Sequence, residues 1–126
     1  NIEIEFHEPK NIVEIYGNDT ALSILIRNLI DNAIRYTPEN GEINVYVYRE
    51  KNHIILKVVD NGPGIPKELR SRVFERFYRL LGTKTAGSGL GLAIVQQIAE
   101  LHHAKVKLST PESGKGLAAA VSFSSK

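Results

Sequence analysis

Three groups of residues in this chain have types and spacings that could do chemistry. Asn28, Asn32 and Arg35 recur at intervals of four and three. On a helix, Asn32 and Arg35 fall about 40° and about −20° from Asn28, while the neighbouring apolar residues centre about 140° away. Asparagine oxygens are hard neutral ligands for magnesium, and a guanidinium one turn further on can hold phosphate oxygens. Taken alone, the same stripe also describes the solvated face of any amphipathic helix. The second group is Asp60-Asn61-Gly62-Pro63-Gly64, directly after the apolar run Ile54 to Val59. It delivers a carboxylate from a strand end to a turn whose glycines let a flat base approach the backbone. Such an acceptor matches the exocyclic amine of adenine; guanine, with a carbonyl there, would leave it unpaired at a cost of about 1 to 3 kcal/mol. An ordinary Asp-Asn-Gly turn is the alternative reading. The third group, Gly87-Ser88-Gly89-Leu90-Gly91-Leu92, runs into a helix. Glycine-freed amides and the positive helix end suit phosphates. The spacing is neither a dinucleotide-binding fingerprint nor a P-loop, and in isolation a flexible loop explains it equally.

The elements that must hold these groups are legible as periodicities. Ile2, Ile4 and Phe6 alternate with polar residues as a strand, and Ile12, Val13 and Ile15 suggest a second. Asn18 or Asp19 can cap a helix whose apolar positions are Leu22, Leu25, Ile26, Leu29, Ile30, Ala33 and Ile34, ending before Pro38. Strands follow over 43–48 and 54–59, then turn chemistry from Asp60 and a short helical stretch opened by Pro66 and running to about Phe74. Between Phe77 and Gly91 periodicity vanishes in a segment holding Arg79, Lys84 and four glycines, which has the character of a functional lid. A helix over 90–102 and strands over 105–109 and 117–123 complete the chain. This order predicts an α/β sandwich, with helices on one face of a mixed, mostly antiparallel sheet.

Composition bounds the rest. At 126 residues the chain is one domain, and 42% hydrophobic with 24% charged residues is ordinary for a globular protein in water. Its net charge of +2 is scattered, so nucleic acid is not an expected partner. Without cysteine there is no disulfide or thiolate site. His7, His53, His102 and His103 have the contexts of structural or surface residues. Because Asn1 cannot be an initiator, we expect a piece of something longer.

Taken together, the motifs resemble those of sensor histidine kinases. Residues 28–36 (NLIDNAIRY) are similar to the N box, 60–64 (DNGPG) to the G1 box, 74–79 (FERFYR) to the F box and 87–92 (GSGLGL) to the G2 box; GKG at 114–116 stands where the family has its G3 glycines. The run 77–92 resembles the quorum-sensing and polymyxin-response subgroup. The resemblance implies the Bergerat fold of the GHKL ATPases, with ATP under a mobile lid. Asn32 would coordinate Mg2+, Asn28 and Arg35 would reach the phosphates, and Tyr36 would lie against base or sugar. Asp60 would take the adenine amine, with Gly62, Gly64 and Ile65 shaping the pocket. Gly87, Ser88, Gly89, Leu90 and Gly91 would cradle phosphates, and Arg79 and Lys84 would meet the γ-phosphate. It implies a protein-histidine kinase: the γ-phosphoryl group would pass to a histidine on a separate dimerisation and phosphoacceptor helical domain, and thence to a response regulator. The whole would be a homodimeric inner-membrane receptor. This stretch would be its cytoplasmic catalytic domain, monomeric in isolation and without membrane contact of its own. Hydrolysing relatives carry a glutamate one turn before the magnesium asparagine; here that position is Asn28, which cannot serve as a general base. Leu117 follows the GKG where the family often has threonine.

Overall fold

A computed structural model describes residues 2–7, 15, 17–74 and 91–124. A five-stranded sheet has the spatial order β1 (Glu3–His7), β2 (Glu42–Glu50), β3 (His53–Asp60), β5 (Leu117–Ser124) and β4 (Lys105–Ser109). Only β1 runs parallel to its neighbour; the other three pairings are antiparallel. Two helices, α1 (Asp19–Tyr36) and α2 (Gly91–Leu101), pack along each other and over the sheet.

Alternation divides the sheet. Ile43, Val45, Leu56, Val58, Leu117, Ala119, Val121 and Phe123 form the core with Leu25, Leu29 and Ala33 of α1 and Leu92, Val95 and Ala99 of α2. The expected layered α/β arrangement is therefore present. The apolar stripe on α1 is narrower than its periodicity suggested: Ile26 and Ile34 lie at its edges and are exposed.

Helix α1 starts where Asn18 Oδ1 accepts the Ala21 N–H at 2.9 Å, a side-chain cap for an otherwise unpaired amide. It stops at Thr37, whose buried hydroxyl donates to Ala33 O at 2.7 Å before Pro38. Helix α2 ends in the paired bonds of a Schellman turn, Ala104 N–H to Ala99 O and His103 N–H to Glu100 O, with His103 left-handed at φ 55°.

The expected helix from Pro66 to Phe74 is instead two 3-10 turns, Lys67–Leu69 and Arg72–Phe74. So short a segment offers little for an α-helix to propagate, and Arg70 leaves it sideways. Its Nε donates to Ile65 O and its Nη2 to Thr110 Oγ1. Residues 12–14 of the suggested second strand and the 77–90 part of the lid lie outside the described residues; Ile15 is described and is not in a strand.

Candidate functional site

The site is built on Asp60, the last residue of β3, whose side chain faces the helix layer between Ile43 and Leu117 of the adjoining strands. It is 5% exposed. The Gly62 N–H donates to its Oδ1 at 2.9 Å and the Leu117 N–H at 3.3 Å. Burial pushes this carboxyl above the ordinary carboxylate range, and the two amides pull against that shift. Both amides fall on one oxygen, so Oδ2 is the atom left to meet an external donor.

Three backbone segments crowd round it. A Cβ on Gly62 would collide with the Tyr36 carbonyl, so the end of α1 and the Asp60 turn touch only because that position is glycine. Gly116, at φ 95°, lies where a Cβ would strike the Asp60 carbonyl, and a Cβ on Gly64, at φ 76°, would come within 2.6 Å of Gly116 O. Asn61 ties the turn to β2, its Oδ1 accepting the Glu42 N–H at 2.9 Å. Ile65 is buried beneath.

One helical turn and more from that point, Asn32 is half-buried and Arg35 exposed. Asn28 is half-buried too, its Nδ2 donating to Ile24 O at 2.8 Å. That bond turns Oδ1 outward, to within 3.5 Å of where a Cβ on Gly91 would sit, at the start of α2. The polar stripe of α1 thus abuts the positive end of a second helix, a combination suited to an anion. The structure brings Asn28 to Gly91 and Tyr36 to Gly62. Arg79, Lys84, Gly87, Ser88, Gly89 and Leu90 lie outside the described residues.

Sequence reasoning missed two contributors. Leu117 acts through its amide, which any residue type supplies, so the departure from threonine leaves the Asp60 contact intact. Gly116 acts through the collision it avoids. The Gly-Lys-Gly spelling flagged that stretch, but its partner is visible only in three dimensions.

The donor set fits a purine and a magnesium ion. The buried Asp60 carboxylate suits an amine. Among the described residues no cluster of three His, Asp or Glu could cage a metal. An ion here would depend on Asn32 and on phosphate oxygens, as magnesium tolerates.

A family model described as histidine kinase-, DNA gyrase B- and HSP90-like ATPase matches residues 17–125. Sensor protein kinase PmrB of Pseudomonas aeruginosa is 42% identical over 93% of this chain and 24% of its own length. Sensor protein QseC of Escherichia coli K12 is 46% identical over 85% of this chain and 23% of its own. The chain thus spans about a quarter of the length of these curated relatives. The solved mycobacterial sensor histidine kinase MprB superposes with a TM-score of 0.86 at 32% identity, covering 99% of this chain and 83% of that one.

Proposed function

The chain belongs to the histidine kinase-, DNA gyrase B- and HSP90-like ATPases, and on that premise we propose that residues 1–126 form the catalytic ATP-binding domain of a larger sensor histidine kinase. In this reading Asp60 Oδ2 accepts the adenine amine, Gly62, Gly64 and Ile65 wall the base, and Tyr36 flanks base or sugar. Asn32 holds Mg2+, while Asn28 and Arg35 reach the phosphates together with the amides from Gly87, Ser88, Gly89, Leu90 and Gly91. Arg79 and Lys84 serve as lid cations at the γ-phosphate. The observation that carries the reading is the buried Asp60, braced by amides of two separate segments and placed beside the end of the helix bearing Asn28 and Asn32.

The chemistry is an in-line displacement. A histidine nitrogen of a separate helical domain attacks the γ-phosphorus, the bond to the bridging oxygen breaks, and ADP leaves. Bound magnesium would supply charge neutralisation on the phosphates. The residues of this chain contribute positioning and positive charge, which are the main protein contributions to such a transfer. Asn28 occupies the place where a water-activating carboxylate would otherwise stand, which favours a protein acceptor over water. The phosphoryl group then passes to a response regulator. The whole receptor is a homodimer of the inner membrane with this domain on the cytoplasmic side; no helix among the described residues is long and apolar enough to cross a membrane.

Incubating the chain with labelled ATP, magnesium and a panel of acceptor helical hairpins tests this. Acid-labile label on one hairpin histidine is the expected result. Rapid phosphate release by the chain alone, with no labelled hairpin, would favour a hydrolysing ATPase.

A further inference from the structure

At the end of the helix pair remote from the Asn28–Gly91 contact, His102 joins the two helices that carry the site. It is the residue after the last turn of α2, half-buried, and its ring packs edge-on to Phe123 of β5 with centroids 6.4 Å apart. Nδ1 lies 2.9 Å from Ile98 O, and Nε2 lies 3.1 Å from the backbone nitrogen of Asn18, the N-cap of α1. A backbone N–H can only donate, so Nε2 accepts; the proton therefore sits on Nδ1 and donates to Ile98 O. Each nitrogen has a fixed role, and one imidazole bonds both the start of α1 and the end of α2. Gly17 makes room for it and for Leu22: a Cβ there would come 2.7 Å from the ring Cδ2 and 2.8 Å from both Nε2 and Leu22 Cδ1.

We propose that His102 is a positioning residue for phosphate binding, a latch that sets how far α1 and α2 are slid along each other. The proposal rests on the nucleotide reading above. Asn18 to Asn28 along α1 and His102 back to Gly91 along α2 are both about 15 to 17 Å at 1.5 Å per residue. The helices are therefore tied at one end by His102, and at the other Asn28 of α1 lies beside Gly91 of α2 without a bond between them. A slide at the first is transmitted along stiff rods to the second, where the stripe of α1 faces the glycine start of α2. The base pocket is fixed differently, by Asp60, Asn61, Gly62 and Gly116 on the sheet. The end of α1 is seated there through the close approach of Tyr36 to Gly62, so the slide is a movement of α2 along an α1 held at that end. Loosening the latch should thus disturb phosphates and spare the base.

Two substitutions attack it from opposite sides. His102→Leu removes both hydrogen bonds while keeping bulk, and Gly17→Ala pushes the ring out with a new methyl. Affinities for ATP with magnesium and for adenosine would be compared by calorimetry or NMR titration on the folded 126-residue chain, with thermal melting as a check on folding. Both variants are expected to bind ATP roughly three- to tenfold more weakly, the loss from one or two misaligned hydrogen bonds, with adenosine affinity unchanged. His102→Gln, which retains an acceptor for the Asn18 N–H, should recover part of the ATP affinity. Equal weakening for both ligands, or lower melting temperatures with ATP affinity intact, would overturn the proposal by making His102 merely structural. If the unmodified chain bound neither ligand, the nucleotide reading itself would fall, and the proposal with it.

Discussion

In the proposed reading, Asp60 serves a ligand at the expense of the fold. Its carboxyl is raised by burial, so it favours folding when protonated; that contribution is present below the unfolded value and lost as pH rises through the folded one. At neutral pH the buried charge is a cost that the Gly62 and Leu117 amides only partly offset. Asp60→Asn keeps an oxygen for both amides and removes the charge. It is expected to abolish ATP binding in calorimetry, while its urea midpoint gains on that of the parent as pH is taken upward from the ordinary carboxylate range. Unchanged affinity would contradict the pocket assignment. Asn32→Ala should weaken magnesium-dependent ATP binding and leave adenosine alone; equal loss for both would mean the metal ligand is misplaced. Asp60 and Asn32 could be proposed from the sequence because their neighbours in the chain are part of the signal. Leu117 and His102 were not readable, since their partners lie 57 and 84 residues away and both bonds use a backbone nitrogen.

The glycines that admit one element against another belong to the scale of elements, and two of them differ in an instructive way. Gly114 and Gly116 both have positive φ, at 83° and 95°, but a Cβ at 114 would meet nothing within 4 Å, whereas at 116 it would strike the Asp60 carbonyl. Gly114→Ala is therefore expected to cost only backbone strain, about 1 kcal/mol in urea unfolding, without loss of nucleotide. Gly116→Ala should cost more, about 2 to 3 kcal/mol, and should weaken ATP binding by moving the Leu117 amide. Similar behaviour of the two variants would mean that the approach of this loop to β3 is not what shapes the pocket. Helix α1 was legible almost to the residue, from the Asn18 cap to the stop before Pro38, since caps and breakers are local chemistry. The Pro66 to Phe74 segment was read as one short helix because its local signals are helical. What divides it is the reach of Arg70 to Thr110 in the loop after β4, a tertiary contact with no local signature.

For the whole molecule, the sheet holds the Asp60 end of the site and the helix pair holds the Asn28 end, so a nucleotide spanning both would tie the two layers together. A ligand that binds only the folded state at a hundredfold excess over its Kd stabilises by about 2.7 kcal/mol. ATP with magnesium is expected to raise the melting temperature by several degrees, and chelation of the metal should remove much of that gain while leaving any effect of adenosine. The layered fold was legible from alternation and helical periodicity, because burying one face of each element dictates both. The parallel placement of β1 at the sheet edge was not, because strand order depends on pairings that no single segment encodes. The most direct measurement is a crystal structure of the chain with a nonhydrolysable ATP analogue and magnesium. The account predicts the purine amine on Asp60, the metal on Asn32 and the phosphates between Asn28 and the start of α2. An analogue bound elsewhere, or a base turned away from Asp60, would contradict it.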